Sequence, residues 1–245
     1  MSTVCMSRSE ILAAAKPILF NTEMAQAIQD NRKSMTRRVA KVNRAPVPTH
    51  WKYLPDMSNL IYAKFLDEAG EIQLVEKPYI AAGAISGKGG QILYMPEAWK
   101  AISHDHDTRK LLIVFRPDNK KVWIKLDAER WKKFIKYISK NSWQSPYFMP
   151  KEAARIFLHV TDVRVERLQE IGKDGYFAEG VDPDIWYKAF SYSADKRISD
   201  EKMKSEFTQV WNGTIKKSDH DKYSWAANPW VWVIQFERIV PTDAN

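Results

Sequence analysis

Cysteine is almost absent: Cys5 is the single one in 245 residues, so no intramolecular disulfide can form and a disulfide scaffold is excluded. A reducing compartment fits. Long apolar runs are missing too; the best candidate, Trp230 to Phe236, is the length of a strand and not of a bilayer span, so no membrane segment is expected. Arg8 and Glu10 precede the short apolar stretch Ile11–Ala15, which Lys16-Pro17 ends, a pattern unlike a signal peptide. No repeat, low-complexity block or convincing linker divides the chain. No G-x-S-x-G elbow occurs, and Cys5 has no histidine in useful context.

What is present is an ordinary globular composition, 44% hydrophobic and 28% charged, enough to build a sizeable core. Lysine and arginine total 38 against 30 acids, a formal charge of +8 that is compatible with a polyanionic partner. The expectation is a basic, soluble, cytoplasmic protein. Its charge is unevenly placed: from Asp30 to Arg44 the chain carries Arg32, Lys33, Arg37, Arg38, Lys41 and Arg44 against Asp30 alone. Such a patch can neutralise phosphates; a solvated surface segment carries the same charges. The 10 tryptophans suit either base stacking or a core.

Asn21 or Thr22 is placed to cap a helix running toward Asn31. Gly83–Gly90 reads as a turn into a short buried strand, Gln91–Met95. Leu111–Phe115 and Lys121–Leu126 flank Pro117-Asp-Asn119 as a hairpin. Asp127 caps a helix striped by Trp131, Phe134, Ile135 and Ile138, and Asp200 starts another carrying Met203, Phe207 and Val210 or Trp211. Ile156, Leu158 and Val160 alternate in one phase, Val163 and Val165 in the other, which predicts a bulge or bend at Thr161-Asp162. In the last strand, Trp230, Trp232, Ile234 and Phe236 share one face. The sum is an α+β chain with a strongly bent sheet or small barrel and inserted helices.

Three motifs are weak. Ser86-Gly-Lys-Gly-Gly90 lacks P-loop spacing and precedes a strand, which offers a phosphate no helix N-terminus. Ser103-His-Asp-His-Asp107 holds metal-capable groups without an announced set of further ligands. His159 alternates opposite Leu158 and Val160 and reads as a surface or packed histidine. The segment Ile28–Arg38 is stronger: Lys33 among arginines has its charged form disfavoured, and burial would add to this. Such a lysine can serve as a base or nucleophile, with the Thr36 hydroxyl three residues on.

At this segment the chain resembles a known family. Pro17-Ile-Leu-Phe-Asn-Thr-Glu-Met24, followed by Asn31-Arg-Lys-Ser-Met-Thr-Arg-Arg38, is similar to the opening of ASCH-domain proteins of the PUA-like superfamily, above all phage- and prophage-encoded members. Gly90-Gln-Ile-Leu-Tyr-Met-Pro-Glu-Ala-Trp99 resembles a second block. Met149–Arg155, Val163–Gln169 and Ala178-Glu-Gly180 form a third, and Ser224–Ile234 the C-terminal one. Where the pattern has Gly, Asp, Arg, Thr and Asp, this chain has Asn31, Gln91, Pro96, Ala98 and Ala226.

The resemblance implies a PUA-like β-barrel with flanking helices: a single domain over 17–245, an N-terminal extension over 1–16 and an insertion at 101–145. It implies a cleft beside the first helix that faces RNA or a modified nucleobase, with DNA a further candidate, and no cofactor or metal. Arg32, Arg37, Arg38, Lys41 and Arg44 would hold phosphate, with Trp99 as a stacking wall and Glu97 in support. One enzymatic branch, the acetylcytidine amidohydrolases, uses a lysine, a threonine and a glutamate, which fall on Lys33, Thr36 and Glu179. There lysine attacks or activates water, threonine orients the carbonyl and glutamate shuttles the proton. RNA cleavage is another hydrolytic reading. A third reading is a non-catalytic phage morphogenesis or host-interaction accessory, since fold alone does not choose function.

Overall fold

The computed structural model describes residues 6–42, 44–55, 62–77 and 91–242. The strands are β1 (Lys16–Pro17), β2 (Met35–Val39), β3 (Lys41–Val42), β4 (Ala45–Pro46), β5 (Lys52–Leu54), β6 (Tyr62–Leu66) and β7 (Ile72–Glu76). They continue as β8 (Ile92–Tyr94), β9 (Trp99–Asp105), β10 (Lys110–Phe115), β11 (Lys121–Lys125), β12 (Phe157–Arg167) and β13 (Trp230–Ile239). The helices are α1 (Arg8–Ala14), α2 (Thr22–Gln29), α3 (Ala128–Phe134), α4 (Tyr137–Lys140), α5 (Lys173–Ala178), α6 (Pro183–Ser193), α7 (Lys196–Thr214) and α8 (His220–Tyr223). The class is mixed α+β, with a five-stranded sheet in the order β1-β8-β12-β13-β2. Among the described residues no helix is long and apolar enough to cross a membrane.

The chain divides into two compact units, each built from separate stretches. The first comprises 1–29, 92–159 and 238–245. Ser7 caps α1 in a reciprocal box with Glu10, and Asn21 Oδ1 accepts from the Met24 N–H to start α2. β1 runs parallel to β8, whose other edge takes the start of β12 antiparallel. β9, β10 and β11 form an antiparallel sheet. The expected hairpin is there, with Asn119 at φ +55° and Asp118 accepting from the Lys120 N–H in its turn. Asp127 caps α3 through the Arg130 N–H.

This unit's core draws on both segments set apart in the sequence: Ile11 of 1–16 is fully buried in it, and 101–145 supplies Leu111, Ile113, Phe115, Ile124, Trp131 and Phe134. Trp99 is 0% exposed, with its ring 5.2 Å from Tyr137 and 6.1 Å from Phe134, so it offers no face to a base. It is a packing residue and not a stacking wall, because β9 turns it into the sheet's inner side.

The second unit comprises 30–91 and 160–237. β2 pairs antiparallel with β13, and β5, β6 and β7 form a meander. Its core joins Met35, Val231 and Val233 to Leu168, Tyr176, Trp186, Met203 and Phe207. β13 differs from the one-faced strand expected: Val231 and Val233 are as buried as Trp232 and Ile234, as in a strand covered on both sides. β12 runs as one strand through Thr161-Asp162, the place of the expected bulge or bend, in a strongly curled sheet. The phase change arises because Phe157 to Val160 are all buried, whereas Thr161 and Asp162 are exposed. α7 starts one turn earlier than expected, capped by Asp195, while Asp200 accepts the Trp186 indole N–H at 2.8 Å. The Gly83–Gly90 turn, Ser86–Gly90 within it, and Cys5 lie outside the described residues.

Candidate functional site

The site is assembled in the second unit from a loop, a strand and a helix end. Asn31 stands at φ +57°, a left-handed conformation that asparagine tolerates better than most residues with a side chain. The chain then enters β2 through two backbone bonds, from Ser34 N–H to the Ala178 carbonyl and from Phe236 N–H to the Ser34 carbonyl, both 2.9 Å. These bonds hold Lys33 beside the C-terminal end of α5. Glu179 is the residue that closes α5, and Gly180 follows at φ +96°.

Lys33 Nζ donates to Glu179 Oε2 at 2.6 Å and to the Glu179 carbonyl at 2.8 Å. The second bond satisfies a carbonyl that the helix end leaves over, and a cation is favourable there. Arg37 Nη1 reaches the other carboxylate oxygen at 3.1 Å, and Nη2 reaches Glu166 Oε2 at 3.1 Å. Arg164 bonds Glu166 and Asp162 in turn. The result is an alternating row, Asp162, Arg164, Glu166, Arg37, Glu179, Lys33, in which every charge has an opposite neighbour.

Burial deepens along the row. Arg164 is partly exposed, the Arg37 side chain is 2% exposed and that of Lys33 is 0%. Arg37 Nε is buried with no hydrogen-bond partner among the described residues. Burial pushes the Lys33 pKa below the ordinary lysine range; attraction and hydrogen bonding to Glu179 oppose this, and Arg38 and Arg37 add to it.

The three residues of the expected catalytic group are only partly united. Lys33 and Glu179 touch across 146 positions of sequence. Thr36 is buried in β2 opposite Ile234, on the strand face away from Arg37, and no hydrogen bond joins its hydroxyl to either partner among the described residues. The expected open cleft is not what these side chains form, since the pair is closed to solvent.

The proposed phosphate contacts divide. Arg37 is withdrawn into the ion-pair row, which corrects its assignment as an exposed contact. Arg32, Arg38, Lys41 and Arg44 stay at the surface, with Arg32 bonded to Asp30 and to the Gly180 carbonyl and Lys41 4.9 Å over the Tyr223 ring. Glu97 belongs to the first unit, where Arg155 grips it with two bonds of 2.6 and 2.7 Å and reaches Asp118 with a third. His159 is buried. Asp105, in the weak metal motif, accepts from the Thr108 hydroxyl and from the Asp107 and Thr108 N–H groups.

Arg155 and the trio Asp162, Arg164 and Glu166 were not anticipated as site residues. The trio had a readable signal: charges of alternating sign at every second position, between Val163 and Val165, share one strand face. Arg155 had none beyond its charge.

No protein-family model, curated protein or solved structure matches the chain.

Proposed function

We propose that the chain binds RNA or a modified nucleobase through the basic segment 30–44, as a cytoplasmic, phage-derived protein on a PUA-like barrel. What supports this reading is the division within that segment: Lys33 and Arg37 turn inward to carboxylates, leaving Arg32, Arg38, Lys41 and Arg44 at the surface. The inward pair stiffens the stretch that displays the outward cations. Four contacts to a single strand give a slope of log K against log salt of roughly −3, because each neutralised phosphate releases counterion. Binding of a short single-stranded RNA between low and physiological salt tests it. The double variant Arg38→Ala/Lys41→Ala flattens that slope by about 1.4. Absence of binding at low salt, or a slope the variant leaves unchanged, removes this reading.

A second reading, amide hydrolysis on an acylated cytidine, is favoured by the 2.6 Å contact between a desolvated lysine and Glu179. Water would add to the acyl carbonyl as the C–N bond breaks, giving cytidine and acetate. Lys33 in its neutral form would take the proton and Glu179 would pass it to the leaving amine. The pair must open to admit substrate, because both side chains are closed off. Acetate release from N4-acetylcytidine, abolished by Lys33→Met, is the expected outcome; an inactive wild-type protein eliminates this chemistry.

A further inference from the structure

We propose that the outer face of the β9–β10–β11 sheet is a platform for single-stranded nucleic acid, with Trp123 stacking on a base. It lies in the first unit and stands independently of the segment 30–44, which belongs to the second. Strand register arranges this face in three rows. Lys100, Val114 and Lys121 form one, Ser103, Leu112 and Trp123 the next, and Asp105, Lys110 and Lys125 the third, with a register shift between the first two. Val114 is buried and Leu112 half-buried, so the open part of the face is the Trp123 end. The opposite face carries Leu111, Ile113, Phe115 and Ile124 into the core, so the outward side chains stand on a fixed base.

Trp123 is 49% exposed on this face, and no ring or cation partners its indole among the described residues. Four lysines surround it against one acid, Asp105, whose oxygens are engaged by Thr108 and Asp107. Lys110 and Lys125 stand directly opposite each other, a like-charge pairing that is unfavourable in an antiparallel sheet and that Asp105, on the other side of Lys110, offsets in part. Lysines on the edge strand β11 guard against edge pairing. That role accounts for neither Lys110 on the central strand nor an exposed tryptophan. A second copy of the chain is disfavoured, since an isologous contact would oppose lysine to lysine. An aromatic ring among cations on a sheet face suits a single strand, whose bases stack while its phosphates meet ammonium groups.

The test uses the full chain and a labelled oligouridylate of about 12 nucleotides, within the usual site size of such platforms. An abasic phosphodiester strand of equal length is the control. Trp123→Ala lowers affinity for the oligouridylate by about 5- to 150-fold, the worth of one stacked base, and leaves the abasic strand unaffected. Lys110→Gln/Lys125→Gln weakens both strands and flattens the salt slope by about 1.4. Near-ultraviolet dichroism checks the fold of each variant, and the lysine pair keeps the proposal testable if Trp123→Ala misfolds. Binding that ignores both variants and is lost only in Arg38→Ala/Lys41→Ala overturns this surface while leaving the segment 30–44 standing. Equal affinity for the abasic strand overturns the stacking platform as well.

Discussion

Lys33 Nζ lies 2.6 Å from Glu179 Oε2, and both side chains are closed to solvent. Removing one partner of such a pair leaves the other buried and uncompensated. Glu179→Ala strands Lys33 and one arm of Arg37 together, so a loss of about 3–5 kcal/mol is expected, read by chemical denaturation. Glu179→Gln keeps the shape but not the charge and is expected to fall short of that loss. Equal stability of wild type and Glu179→Ala would refute the description of the pair.

The depressed pKa of Lys33 has a definite pH signature. Between its folded pKa and the ordinary lysine value, the unfolded chain binds the proton that the folded chain has released. Stability from this group is therefore complete above the ordinary lysine value and is lost as pH falls through the folded pKa. The wild-type protein should gain stability relative to Lys33→Met as pH rises through that alkaline window. Denaturation curves for the two, subtracted at each pH, report the sign.

Trp99→Ala is expected to cost about 3–5 kcal/mol, the usual consequence of emptying an aromatic core position. Affinity for RNA, measured on the fraction that folds, should not change, because the ring is 0% exposed. A stable variant with weakened binding would restore the stacking role.

Arg37 and Arg38 are adjacent in sequence and opposite in fate. Arg37→Ala should unfold the protein at lower denaturant while leaving the salt slope of binding intact, since Arg37 holds Glu166 and Glu179. Arg38→Ala should flatten the slope by about 0.7 with little change in stability. Denaturation and a salt titration on the same two variants separate the roles.

Gly180 at φ +96° sits directly after Glu179. Gly180→Ala forces a side chain into a conformation only glycine adopts readily, and a loss on the order of 1–3 kcal/mol is expected. A drop in thermal midpoint with unchanged behaviour of Gly172→Ala, which has open space at its Cβ and no positive φ, is the matched comparison.

Much of the local structure is legible in the chain itself. The turn at Pro117-Asp-Asn119, the Asp127 cap and the helix begun at Asn21 follow from residues only a few positions apart, the range over which side chains cap backbones and set turns. The basic character of 30–44 and the lysine candidate within it are equally local. Which of those cations face water is not. Strand alternation sets Arg37 and Arg38 on opposite faces, but only the arrival of Glu166 and Glu179, each more than 120 positions away, decides that Arg37 is the buried one. Trp99 and Trp123 make the same point. Both are tryptophans on the outer strands of one three-stranded sheet, yet one is in the core and the other 49% exposed, because long-range packing chooses which face of the sheet is covered. Sequence spacing specifies which side chains share a face; the free energy of covering that face comes from segments far along the chain, and it appears only in the folded protein.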